Sequence, residues 1–368
     1  MQILYNTGAM NRFLQIARGL GLAMLVPTVA PAQTSSNIIV HAENLAPDPV
    51  ATRLMPVPIY NFAVHNVAFS PDGRTLATGD GAGVVRLWET ATGKLRFKIP
   101  AHTNWAFSVA WSKSGKFFAT GGGDDLIHLF DSANPTAALK TFNGHDGDVH
   151  AVVITPDERR VASAGDDRQI ILWDIKSGKP IRKRPAHEKA IPTLALSPNG
   201  KMLASGSRDH LIRLWNMETG RLRETLVGHT EDVLSVRFSP DGKWLASTSY
   251  DQTVRLWDAS SGKSLRIFYG HTNRVFGVAF SPDGKRLASA GDSSLRIWDA
   301  LHGTELKVIF PGGEIATRKG TVNGNISAVA FSPDGEKLAA SSTTGQIFLL
   351  SANTGDVMRT FSEPASEQ

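Results

Sequence analysis

From Val64 to near the C-terminus the chain repeats itself about every 42 residues, and this period restricts its folds more than any other feature. The repeats are easiest to align at the end of each third predicted strand. There stand Trp88, Phe130, Trp173, Trp215, Trp257, Trp298 and Leu350, spaced 42, 43, 42, 42, 41 and 52 residues apart. A unit of this length cannot bury its own faces, so consecutive units must stack on one another, and the length suits a four-stranded propeller blade. A second mark falls between the first two strands of each unit: Ser70-Pro71-Asp72-Gly73, Ser112-Lys113-Ser114-Gly115, Thr155-Pro156-Asp157-Glu158, Ser197-Pro198-Asn199-Gly200, Ser239-Pro240-Asp241-Gly242, Ser281-Pro282-Asp283-Gly284 and Ser332-Pro333-Asp334-Gly335. Proline fixes φ at the turn, and the following Asp-Gly or Asn-Gly accepts the positive φ that closes a hairpin. Only the third unit lacks the glycine.

Each unit offers four short strands bounded by turn formers. In the fifth they are roughly Val233–Ser239, Trp244–Ser249, Thr253–Ala259 and Ser264–Phe268. The inner strands are apolar on both faces, as in a sheet packed between two neighbours. No useful helical periodicity follows the N-terminal region. The runs Val254-Arg255-Leu256-Trp257-Asp258 and Gly228-His229 resemble the Trp-Asp and Gly-His marks of the WD-repeat family. The resemblance covers about 64–361. It implies an all-β chain, a seven-bladed β-propeller of four-stranded antiparallel blades around a central channel.

Four polar positions recur together: His145, Ser163, Asp167 and Trp173; His187, Ser205, Asp209 and Trp215; His229, Ser247, Asp251 and Trp257; His271, Ser289, Asp292 and Trp298. In the family this resembles, such a set forms a buried chain of hydrogen bonds within one blade. The chemistry is self-consistent: a donor-only indole, a hydroxyl that donates and accepts, a bifunctional imidazole and an acceptor carboxylate. A catalytic Ser-His-Asp reading fails because the set recurs once per blade, and triads are recognised by geometry rather than residue type. The second unit keeps His102, Thr120 and Asp124 but has Phe130 for Trp. The first and last units have Tyr60, Ala82, Val322 and Thr344 at the His and Asp positions.

The resemblance also places partner binding at the mouth carrying the Gly-His loops and the hairpins between second and third strands. Reading three positions per unit there selects Trp105, Phe107, His150, Arg208, Tyr250, Arg274 and Phe276 as partner-binding candidates. Aromatic residues and arginine dominate interface hot spots. Trp105 and Arg274 are expected to be exposed on loops, whereas Phe107 and Phe276 can equally pack inward. The 52-residue spacing inserts about ten residues around Phe310–Asn323 on the same mouth, either a functional loop or a tolerated insertion. The last blade takes its fourth strand either from Asp356–Phe361, which is favoured, or from Arg53–Tyr60, where Pro56 and Pro58 each remove a ladder donor.

Ahead of the repeats, Arg12 and Arg18, the apolar run Gly19–Val26 and Ala30-Pro31-Ala32 read as an export signal cleaved before Gln33, with Met10 an alternative start. The run falls short of the ~20 apolar residues of a membrane span. The expected organisation is a signal peptide over 1–32, an extended linker over 33–58, the propeller over 59–361 and a flexible tail over 362–368. The mature protein is expected to be periplasmic or secreted, or cytoplasmic if this segment is no signal. The chain has no cysteine, which removes disulfides, thiolate metal sites and thiol nucleophiles. Its 39 basic and 34 acidic residues leave a net charge of +5. Two of those charges lie in the signal, and the small remainder argues against nucleic acid as a partner. No spacing suggests a metal site, a phosphate loop or a cofactor. The expected function is a monomeric, non-enzymatic scaffold binding a protein or peptide across the mouth. The alternatives are a carbohydrate-binding propeller stacking sugar on Trp105 and Tyr250, and an enzyme with its site at the channel mouth.

Overall fold

The turn between the first two strands of each repeat sets the sheet geometry. In the fifth repeat Gly242 takes φ 72°, and its N–H donates to Ser239 O at 2.8 Å. The Ser239 hydroxyl donates to Asp241 Oδ1 at 2.6 Å, and the Lys243 N–H donates to the same oxygen at 3.0 Å. Serine and aspartate thus satisfy the turn from within, which frees both flanking strands to pair outward. In the third repeat Glu158 itself adopts φ 58°. Its carboxylate accepts from the Ser114 hydroxyl at 3.1 Å, in the corresponding turn of the preceding repeat. A side-chain bond to the neighbouring turn therefore accompanies a backbone conformation that glycine adopts more easily.

A computed structural model describes residues 64–312 and 324–363. The expected signal peptide and linker, the Arg53–Tyr60 alternative strand, Tyr60 and Val322, residues 313–323 of the insert and tail residues 364–368 lie outside the described residues. The described strands form seven antiparallel four-stranded sheets, each in chain order from the inner to the outer strand. Blade 5 runs Val233–Phe238, Trp244–Ser249, Val254–Asp258 and Ser264–Phe268. The inner strands of the others are Val64–Phe69, Ala106–Trp111, Val149–Ile154, Thr193–Leu196, Val275–Phe280 and Ile326–Phe331. Successive inner strands pack side by side, and that of blade 7 meets that of blade 1, closing the ring.

The core lies between blades rather than within them. One apolar cluster fills each of the seven junctions. Between blades 4 and 5, for example, Leu214 and Leu226 pack with Val236, Leu245 and Trp257. The last blade takes its outer strand from the C-terminal side, as Val357–Phe361 pairs antiparallel with Ile347–Ser351. No strand is exchanged at this seam among the described residues; it is held by packing and polar contacts. The Phe361 and Trp88 rings lie 5.7 Å apart. Arg359 donates to Ala91 O at 2.9 Å, and Ser341 donates to Val64 O at 3.0 Å. Glu363, assigned to the tail by sequence, pairs with Arg86 and with Lys98. Contact with blade 1 therefore extends two residues past the last strand, because the two cations on blade 1 lie beside it.

In every blade but the fourth, the inner strand is bulged near its start, as between Val233 and Ser235. A bulge adds one residue and reverses the alternation of side chains beyond it. Leu234 and Arg237, three residues apart, both line the channel.

Candidate partner-binding site

The loops of the mouth are positioned by the four-residue sets. In blade 5, Trp257 Nε1 donates to Ser247 Oγ at 2.8 Å. Ser247 Oγ lies 2.7 Å from His229 Nε2, and His229 Nδ1 lies 2.7 Å from Asp251 Oδ2. The same chain joins Trp173, Ser163, His145 and Asp167; Trp215, Ser205, His187 and Asp209; and Trp298, Ser289, His271 and Asp292. All its hydrogen-bond distances fall between 2.7 and 3.0 Å. Valence fixes the protons. The indole only donates and the carboxylate only accepts, so a neutral imidazole donates from Nδ1 and accepts the serine hydroxyl at Nε2. Burial, the largest influence, lowers the pKa of His187 and of His229 despite the carboxylate beside each. Burial pushes the carboxyls of Asp209, Asp251 and Asp292 up, but the histidine and the loop N–H groups outweigh it and hold them far below the usual range. Each aspartate also accepts from the backbone N–H following or next to its histidine's loop, such as Glu188 N at 3.1 Å and Thr230 N at 3.2 Å. The network thus ties the Gly-His loop to the hairpin of the same blade.

Blade 2 keeps the His102 contacts to Thr120 and Asp124, at 2.9 and 2.8 Å, and Phe130 stacks on Phe118 instead of donating. Blade 1 retains one link, Trp88 Nε1 to Thr78 Oγ1 at 3.1 Å.

Further backbone bonds bring loop and hairpin together at the mouth. Asp166 N donates to Asp148 O, Arg208 N to Ala190 O and Tyr250 N to Asp232 O, each at 3.0 Å. On this frame the candidates gather in three groups. Over blades 2 and 3, Trp105 stacks on Phe107 at 5.6 Å, and Phe107 meets the His150 ring at 4.5 Å. His150 Nε2 in turn lies 2.8 Å from Asp166 Oδ1. Over blades 5 and 6, the Arg274 guanidinium sits 4.1 Å above the Tyr250 ring, which meets Phe276 edge-on at 6.3 Å. Between them, exposed Arg208 lies 3.9 Å from Asp232, with His210 at 3.8 Å from the same carboxylate. Burial raises the Asp232 carboxyl against the opposing pull of Arg208.

Trp105 and Arg274 differ from the sequence expectation: both are half-buried, because each lies against a neighbouring ring. Phe107 and Phe276 are also half-buried and line the channel. The sequence suggested no carboxylate cluster placed for a metal, yet among the described residues three groups gather donor atoms within 4.8 Å: His102, Asp124 and His128; Asp148, His150 and Asp166; and His210, Glu231 and Asp232. Pairs such as Asp148 and Asp166 are brought together across loop and hairpin, which spacing along the chain does not reveal. The oxygen and imidazole donors suit a divalent cation, but His150 is already hydrogen-bonded to Asp166.

Below the mouth lies a central channel of about 630 Å³. Sequence reasoning missed Arg237, the one Lys, Arg, Asp or Glu among its lining residues. Aligning the repeats column by column would have found it, because other blades place alanine or valine there. It also passed over Asp166 and Asp232, whose role depends on residues brought near by folding. Among the described residues no helix is long and apolar enough to cross a membrane.

Comparison with known proteins gives one consistent family. The family model described as WD domain, G-beta repeat matches residues 57–89, 93–131, 137–174, 178–216, 220–258, 262–299 and 312–350, well over half of the chain. An uncharacterized WD repeat-containing protein of Nostoc sp. is 54% identical over 43 residues, 12% of this chain and 3% of its own length. WD repeat-containing protein SL1-17 of Schistosoma mansoni is 28% identical over 113 residues, 31% of this chain and 37% of its own. The ribosome biogenesis protein erb1 of Neurospora crassa is 43% identical over 47 residues, 13% of this chain and 6% of its own. The alignments cover well under half the length of each of these relatives.

Proposed function

The chain belongs to the WD-repeat family, a family of propeller scaffolds typical of protein–protein interaction, and on that premise we propose that it binds a protein or peptide partner across the loop-rich mouth. The observation that carries this reading is the pair of aromatic groups there, Trp105 with Phe107 and Tyr250 with Arg274 and Phe276. Their mutual stacking holds large contact surfaces in place before a partner arrives, which lowers the ordering cost of binding. Arg208 and Asp232 add a charged rim between them that would set orientation more than affinity.

A scaffold also fits the burial of the Ser-His-Asp sets. The side chains of His145, His187 and His229 are 0% exposed, so no substrate reaches their imidazoles. We propose further that the protein works outside the cytoplasm, a reading supported by the N-terminal signal pattern. Mass spectrometry of the native protein is expected to show a chain beginning at Gln33; an intact Met1 or Met10 terminus on cytoplasmic material overturns it.

For the mouth, a partner identified from the native compartment is titrated with four variants. Trp105→Ala and Arg274→Ala are expected to weaken binding by about 2 kcal/mol each, about thirtyfold in Kd. Lys243→Glu and Lys285→Glu, in turns at the opposite rim, are expected to bind normally. The reverse pattern places the partner on the other face.

A further inference from the structure

The channel walls are formed by equivalent residues from seven inner strands, which makes any departure from sevenfold likeness easy to see. At the level of Arg237 the other blades contribute Ala68, Ala110, Val153, Ala195, Ala279 and Ala330. Six short apolar side chains therefore face one guanidinium. Arg237 is exposed to the lumen, yet protein surrounds it laterally, and this burial alone pushes its pKa down. The single hydrogen bond of its guanidinium among the described residues runs from Nη1 to the adjacent Val236 O at 2.8 Å. Among the described residues no carboxylate lines the channel. The next level toward the far rim is apolar, with Phe69, Trp111, Phe238, Phe280 and Phe331 among its residues.

A guanidinium has five N–H donors in a planar fork and remains charged at any physiological pH. Protein walls around such a charge lower the local dielectric and strengthen its attraction for an anion. Low-dielectric walls of one sign focus the field of a charge into the cleft. The alanines opposite leave the space that longer side chains would fill, so the donors face an open volume.

We propose that the channel of this propeller is a binding site for one oxyanion, a carboxylate or a phosphate group, held by the Arg237 fork. The fork matches either group through two parallel N–H donations. The aromatic residues one level further on favour a carboxylate attached to an apolar body, whereas free phosphate would use the fork alone. Arg237 is not among the residues assigned to the mouth, and the test needs no partner protein. A failure here therefore leaves the proposed mouth untouched, and the reverse holds too.

The test uses the folded protein, titrated at constant ionic strength with inorganic phosphate and, separately, with benzoate. Calorimetry or thermal stabilisation is expected to show saturable binding of at least one probe, with one site per chain. Binding is expected to fall at least tenfold in Arg237→Ala, the residue found at this level in five other blades. Arg237→Lys, which keeps the charge and loses the fork, is expected to fall between the two. Tighter binding of benzoate than of phosphate assigns a carboxylate ligand, and the opposite order assigns phosphate. If neither probe binds saturably, or if Arg237→Ala binds as tightly as the parent, the proposal is overturned. Should Arg237→Ala not fold, Arg237→Gln, which keeps most of the stem and removes the charge, supplies the same comparison.

Discussion

In blade 5, Trp257 donates to Ser247, which reaches His229 and through it Asp251; in blade 7, Leu350 occupies the tryptophan's place and Ser341 turns its hydroxyl to Val64 O of blade 1. Both third-strand side chains are buried, Trp257 at 1% and Leu350 at 0% exposure. Blade 5 completes its four-residue hydrogen-bond chain within itself. Blade 7 replaces the indole with an apolar side chain and finds acceptors for its hydroxyls across the seam. The difference teaches that the network is one way to close a blade, and that removing donor and acceptor together is tolerated where removing one alone is not. Blade 7 is the place where the chain must meet its own beginning, so its bonds are spent on the neighbour.

The largest effect should come from truncating the indole. Trp257→Ala removes a large ring from the junction cluster and leaves the Ser247 hydroxyl without its donor. A loss of about 3–5 kcal/mol is expected by denaturant titration. A loss no greater than that of Leu350→Ala would break the comparison, because the two sites would then differ only in apolar volume.

Next, Asp209→Ala is expected to cost about 1–3 kcal/mol, since His187, Arg213 and Glu188 N all lose an acceptor. Asp72→Ala, in an exposed turn that bonds only Ser70 and Arg74 N, is expected to cost less. Equal unfolding midpoints for the parent and Asp209→Ala would show that the network contributes nothing.

Acid should act on the complete blades selectively. Because burial lowers the His187 and His229 pKa values in the folded chain, the unfolded chain binds those protons more readily. Their contribution is whole above the ordinary histidine value of about 6.5 and is lost as pH falls from there through the folded values. The depressed carboxyls of Asp209 and Asp251 add a second loss as pH falls below about 3.9. Melting temperature measured from pH 8 to pH 4 is expected to decline below pH 6.5. A flat profile over that range would mean that the imidazoles are equally easy to protonate folded and unfolded.

The smallest effect belongs to the seam. Glu363→Ala breaks pairs with Arg86 and Lys98, but the carboxylate is 36% exposed and solvent screens it. About 0.2–1 kcal/mol is expected, shrinking in high salt. A loss as large as that of Asp209→Ala would make the seam, and not the internal networks, the weak point of the ring.

The legibility of each feature follows the distance over which it is decided. His229, Ser247, Asp251 and Trp257 span one repeat, so their recurrence exposes them in the sequence. Trp105 and Arg274 were selected by position in the repeat, but their half-burial was not legible, since it depends on Phe107 and Tyr250 lying against them. The contact of Phe107 with His150 joins two blades and leaves no periodic trace. Glu158 was visible as a missing glycine, yet its bond to Ser114 in the preceding turn was not.

By itself, the sequence determined the number of blades, the turn at each first hairpin and the four-residue sets, because these are local choices made again in every repeat of about 42 residues. The tertiary structure alone decided what faces the channel and what meets across blades. The ring of inner strands places Arg237 in the lumen, and its closure brings Ser341 to Val64 and Glu363 to Arg86. Such contacts depend on where backbone alternation reverses and on how neighbouring sheets approach, and residues far apart in the chain settle both only once they are packed.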